Sequence, residues 1–246
     1  LSAQSHFSAA GAAQAATKGI SYIQWLHTLS KSFEVELPGF TALVENTLAA
    51  AVCKDRMILS FTEDGCTDAA SFLSKFSEGK ACADTCTYVT DLPKKLGIRI
   101  PAQVSYASLA TSLDIPYEGS ARLLSNVLSL AYLWNEVRVK GGAYGAGMRI
   151  SRNGGLFTYS YRDPNPSNSL SVYRSMADCV RSLVAAGQDI TGFIISTIAE
   201  TEPLEDAGRI GQTADGDWFF GWTREHALAE RKELLNATTE ELTKWC

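Results

Sequence analysis

The sequence predicts an α+β fold, a largely antiparallel sheet flanked by helices. Three observations carry that prediction. "AYGAGMRIS" and "GGLFTYSYRD" are strand-like segments joined by "RNGG", a hairpin signal that makes their pairing antiparallel. "ARLLSNVLSLAYLWNEV" is apolar around most of a helical circumference, which marks a buried central helix. Strands and helices alternate without the regular βαβ rhythm of a parallel sheet.

The elements follow in order. Residues 1–50 read as helical, with Ile20, Ile23, Leu26, Leu29 and Phe33 at helix spacing after the Lys18-Gly19 break. Pro38-Gly39 is expected to interrupt the pattern, and "FTALVENTLAAAV" to start a new helix. "MILSFTE", from Met57 to Glu63, has the length and apolarity of a short buried strand. Thr67 or Asp68 is placed to cap a helix through "AASFLSKF". "IRIPAQVSYASLA" alternates apolar and polar residues, and Pro101 puts its start at a sheet edge. Ser120 is the expected cap of the buried helix, and Ser167 or Ser169 that of a helix carrying Leu170, Tyr173, Met176, Val180 and Leu183. Further helices are expected from Asp189 through "ITGFIISTIAE" and across "TREHALAERKELLNATTEELTKW". We divide the chain into 1–52, the helical end of a preceding domain with a connector, and 53–246, a C-terminal domain.

Composition narrows the function. A formal net charge of -5 gives no electrostatic footprint for a nucleic acid. No apolar run reaches the roughly 18 residues of a transmembrane helix. The opening residues are small and polar, lack a starting Met and carry no signal-peptide pattern, so the sequence reads as a stretch of something longer. The six Cys, at 53, 66, 82, 86, 179 and 246, with only three scattered His, favour reduced thiols in a cytoplasmic protein over a zinc knuckle; a Cys82–Cys86 disulfide on oxidation is the exception.

Several chemistries fail on their motifs. The glycine run from Gly141 to Gly147 lacks the G-K-[ST] and following helix of a phosphate loop, because Lys140 precedes it and a strand follows. Neither H-E-x-x-H nor H-x-x-E-H occurs, since Trp222 stands where the first His of the second motif would be. G-x-S-x-G is absent as well.

The stretch "LWNEVRVKGGAYGAG" is more informative. In one straight strand Arg138 and Tyr144 would stand about 20 Å apart. The break at Gly141-Gly142 lets the chain turn, so that the guanidinium and the phenol converge. A permanent cation beside a neutral donor is suited to a peptide carbonyl whose oxygen gains negative charge. The bare backbone of Gly141, Gly142 and Gly145, with Ala143, would let an extended peptide approach closely. Read structurally instead, Arg138 offsets a helix dipole and Tyr144 is an edge-strand aromatic. Lys140 is read as solvated.

"RVKGGAYG" and "SYRDPN", together with "SHFSAAGAAQAATKGISYIQWLHTL" and "CKDRMILSFTEDG", resemble the presequence-protease branch of the pitrilysin/insulinase zinc peptidases, over nearly the whole chain. The resemblance implies a C-terminal domain of an enzyme whose related α+β domains close around a peptide. It implies that zinc and its ligands belong to an N-terminal half, in the same chain or a partner chain, and that this fragment binds none and is inactive alone. It also implies that Arg138 and Tyr144 reach the substrate, an unfolded peptide. Arg162 and Asp163 in "SYRDPN" are read as scaffold. The competing reading is a non-catalytic peptide-binding or scaffold relative.

Overall fold

A computed structural model describes residues 3–61, 68–79, 89–90 and 92–246. After a 3-10 turn at Gln4–His6 come α1 (Ala9–Lys18), α2 (Ile20–Lys31), α3 (Phe33–Ala51) and α4 (Ala69–Ser74). Strand β1 (Ser105–Ser112) precedes α5 (Gly119–Val127), which continues as a wider π-helix over Leu128–Val139. The hairpin β2 (Gly145–Ile150) and β3 (Gly155–Asp163) follows, then α6 (Pro166–Arg174), α7 (Met176–Ala185), α8 (Thr191–Thr201), α9 (Ala207–Phe220) and α10 (Arg224–Leu235), with a last 3-10 helix at Glu240–Trp245. The fold is α+β, and its sheet is antiparallel in the order β1-β3-β2.

Two compact units are present. One comprises Leu1–Ala13, Val89–Pro203 and Thr223–Cys246; the other comprises Gln14–Tyr88 and Leu204–Trp222. The sheet, the buried helix and the site described below all belong to the first.

Alternation in β3 sets the two faces of the sheet. Thr158 and Ser160 are buried while Tyr159 and Tyr161 are exposed, as the period of two requires. The inner face, with Ala107, Met148 and Ile150, packs in one core with Leu123, Leu124, Val127, Leu128, Leu133 and Val137 of the long helix. Tyr173, Val180, Leu234, Leu242 and Trp245 complete that core. Strand β2 lies at the sheet edge, yet two of its amides are satisfied from the helix. Met148 N–H donates to Ser129 Oγ at 3.0 Å and Ile150 N–H to Ser125 Oγ at 3.0 Å, which closes part of an edge that would otherwise be open for pairing.

Several expectations are corrected. Residues Met57–Phe61 form no strand: Ile58 and Phe61 are exposed, and no described strand lies alongside to accept their hydrogen bonds. Pro38 lies inside α3, as its sixth residue, and the break falls earlier, at Ser32; the proline forfeits one intrahelical bond without ending the helix. Asp68 precedes α4 without a side-chain cap bond. The alternating segment becomes a strand only from Ser105 onward. Ser120 sits within the first turn of α5, accepting from Trp245 Nε1 at 3.1 Å, while Gly119 N–H donates to the Glu233 carboxylate at 2.7 Å. Asn165 caps α6, with Pro166 in the first turn, and Ser175 divides the helix expected through Leu183 into α6 and α7. Helix α9 was not anticipated. Cys66, Cys82 and Cys86 lie outside the described residues; Cys53, Cys179 and Cys246 are free thiols. Among the described residues no helix is long and apolar enough to cross a membrane.

Tyr173 is 2% exposed, and among the described residues its hydroxyl makes no hydrogen bond of good geometry, Ser160 standing near enough only to oppose part of the effect of burial. Burial pushes its phenol up from 10.0 to about 12. The fold therefore favours the protonated phenol. That contribution to stability is fully present below pH 10 and is lost as the pH climbs towards 12. Tyr173→Phe removes an unsatisfied hydroxyl while conserving shape, so it is expected to leave stability at pH 7 unchanged or raise it by up to about 1 kcal/mol. It should also flatten the alkaline limb of denaturant midpoint against pH. A loss above about 1 kcal/mol at pH 7 would show that the hydroxyl is bonded after all.

Candidate functional site

The site is built where the long helix ends and the hairpin begins. Gly142 adopts φ +80, the left-handed conformation that reverses the chain. Its N–H donates to Arg138 O at 2.9 Å, and Ala143 N–H donates to Val137 O at 3.1 Å. A Cβ on Gly141 would come 2.5 Å from Val137 O, so only glycine fits beneath the helix end. Tyr144 N–H then reaches across to β3, donating to Tyr161 O at 3.2 Å. Helix, turn and strand thus fix Arg138 and Tyr144 relative to each other.

The turn brings the two side chains together. Arg138 Cζ lies 5.8 Å from the Tyr144 ring centroid, and the same guanidinium stacks 3.9 Å above the Trp134 ring. Within that range an aromatic face attracts a cation by about 0.5–1 kcal/mol at an exposed position. Tyr144 is 58% exposed and meets Tyr161 edge to face at 5.4 Å. Lys140 is tied to Glu136 at 2.6 Å on the outside of the helix. Ala143, by contrast, turns its methyl into the core.

The glycines have a partner in the fold itself. Gly145 pairs with Tyr161 and Gly147 with Tyr159. A Cβ on Gly145 would stand 2.3 Å from Tyr161 Cε1, and one on Gly147 2.8 Å from Tyr159 Oη. Each tyrosine ring lies over the bare backbone of the neighbouring strand, the aromatic cover for a glycine that sheets use to hold register. Gly145→Ala is expected to displace the Tyr161 ring and, through their edge contact, that of Tyr144. Stability should fall by about 1 kcal/mol, and the Tyr144 ring resonances should shift. Gly147→Ala, which presses on Tyr159 instead, should leave them in place.

Arg162 joins this site, which the sequence reading did not foresee. Its Cζ lies 5.5 Å from the Tyr144 ring centroid. Among the described residues it is the one non-glycine with positive φ, at 50, a conformation that costs on the order of 1 kcal/mol and persists only where its surroundings enforce it. Asp163 provides the enforcement. Its carboxylate is fully buried and accepts from Ser160 Oγ at 2.5 Å, Ser169 Oγ at 2.6 Å and Asn165 N–H at 2.8 Å. It locks the end of β3 to the start of α6, so within "SYRDPN" the Asp is scaffold and the Arg faces the phenol.

Among the described residues no three His, Cys, Asp or Glu side chains are grouped so as to hold a metal ion, and the residues around Tyr144 are cations and rings. They do not fit a zinc centre.

The PreP C-terminal domain family matches residues 95–246. Presequence protease 1, chloroplastic/mitochondrial, of Arabidopsis thaliana is 30% identical over 91% of this chain and 22% of its own length. The mitochondrial presequence protease of Saccharomyces cerevisiae is 32% identical over 69% of this chain and 19% of its own. Protein HypA of Clostridium perfringens is 36% identical over 51% of this chain and 13% of its own. The chain therefore spans about a fifth or less of the length of these relatives. That match, over residues 95–246, takes in the sheet, the turn and the positions of the site, and the chain belongs to the PreP C-terminal domain family.

Proposed function

We propose that the chain is the substrate-binding C-terminal portion of a zinc endopeptidase that degrades short unfolded peptides in a closed chamber. The carrying observation is the exposed Tyr144 phenol beside the guanidinium groups of Arg138 and Arg162, in a chain whose relatives are named presequence proteases. In this reading Tyr144 O–H and the Arg138 guanidinium donate to the carbonyl oxygen of the bond to be cut. Both donations strengthen as that oxygen gains charge. The turn backbone of Gly141, Gly142 and Ala143 flanks the peptide, while Gly145 lies beneath the Tyr161 ring and serves to seat it.

Zinc would be held by the N-terminal half, in the same chain or a partner chain, and the piece described is inactive by itself. As to compartment, relatives named for the mitochondrion and the chloroplast favour an organelle over the cytoplasm expected from the sequence. The free thiols of Cys53, Cys179 and Cys246 suit either. The test is cleavage of a long unstructured peptide by the full-length parent, wild type against Tyr144→Phe. A parent that never cuts, with zinc supplied, would favour the scaffold reading.

A further inference from the structure

Neither guanidinium group at Tyr144 has a counter-ion among the described residues. Among the described residues neither Arg138 nor Arg162 forms an ion pair or a side-chain hydrogen bond. The adjacent acids are committed elsewhere: Glu136 holds Lys140 at 2.6 Å, and Asp163 is buried against Ser160, Ser169 and Asn165. In a chain with net charge -5, two permanent cations beside one ring without an acid are an arrangement that ordinary surface pairing would have neutralised. The fold also holds both in place, Arg138 by stacking on Trp134 at 3.9 Å and Arg162 by a backbone at φ 50. One of these cations serves the carbonyl in the function proposed above. The other is left over.

We propose that Arg162 is a substrate-contacting residue that selects a carboxylate on the bound peptide, close to the bond held by Arg138 and Tyr144. The carboxylate is either an acidic side chain or the peptide C-terminus; a guanidinium offers both the same planar fork of N–H donors. The inference rests on the peptide-binding reading. It adds a preference to that reading, since Arg138 and Tyr144 alone would hold any peptide carbonyl.

The test uses the full-length parent and labelled unstructured peptides in matched pairs, one pair differing by internal Glu against Gln and one by free against amidated C-terminus. Affinity is read by fluorescence anisotropy with the metal chelated, and kcat/KM on the metal-loaded enzyme. Arg162→Gly removes the charge, and glycine accepts a φ of 50 without strain, so its melting temperature should equal or exceed that of wild type. In wild type one charged peptide should bind about tenfold more tightly than its neutral partner, as a charge-assisted bond at a partly exposed site provides. The ratio should fall to about twofold or less in Arg162→Gly and be partly restored in Arg162→Lys. Whichever pair responds identifies the source of the carboxylate. An unchanged ratio in Arg162→Gly overturns the proposal, as does a lowered melting temperature with both peptides weakened equally. Failure of the broader reading looks different: Tyr144→Phe leaves cleavage of neutral peptides untouched, or no peptide binds at all, and the latter outcome removes both.

Discussion

Asp163→Ala should destabilise the fold by about 3–5 kcal/mol, measured as the shift in denaturant midpoint of the chain. The carboxylate is fully buried and accepts three donors. Removing it strands the Ser160 hydroxyl and the Asn165 amide and leaves the Ser169 hydroxyl only its long bond to Asn165 O at 3.4 Å, at about 1–3 kcal/mol per unmade bond before relaxation. Asp163→Asn keeps the shape and one accepting oxygen, but its amide nitrogen confronts donors, so about half of the loss should remain. The same variants should release Arg162 from its left-handed conformation. An alanine variant within about 1 kcal/mol of wild type would mean that solvent reaches these donors and that the clamp is peripheral.

Tyr144→Phe in the full-length parent should lower kcat about a hundredfold with little change in KM, the signature of a donor that acts mainly in the transition state. The ring should not move. Tyr144 N–H is bonded to Tyr161 O at 3.2 Å, and its ring packs at 5.4 Å against Tyr161, contacts that phenylalanine retains. Melting temperature and zinc content should match wild type. A parent whose peptide cleavage is indifferent to the change would return Tyr144 to packing.

The hairpin and the buried helix were legible because their signals are local: "RNGG" dictates the turn, and the apolar run dictates burial. The partners of Gly145 and Gly147 were legible too, in principle. A turn centred on Asn153 pairs Ile150 with Leu156, and three and five residues further out the same register sets Gly147 opposite Tyr159 and Gly145 opposite Tyr161. The spacing was read as room for a ligand because register was not carried through. Asn165-Pro166 is likewise a helix-start signal stronger than the serines chosen. Other features had no local signal. "MILSF" has strand chemistry and no strand to pair with, and pairing is non-local. Gly208, Gly211 and Gly216 hide α9 from propensity. The positive φ of Arg162 is set by hydrogen bonds two turns of chain away in α6, so composition at that position says nothing of it.

The serine hydroxyls along β2 have a consequence for recognition. Peptides are often read by strand addition, in which main-chain amides fix the direction and frame of the ligand. At Met148 and Ile150 those amides are already taken by Ser129 and Ser125, so that stretch of edge cannot act as a template. In the proposed function, recognition beside that stretch would fall to the guanidinium groups and rings around Tyr144, which would grip a carbonyl and a carboxylate of the peptide. Such a surface would hold a carbonyl and a carboxylate at two points without pairing each residue between, so it would accept many sequences that carry that carboxylate.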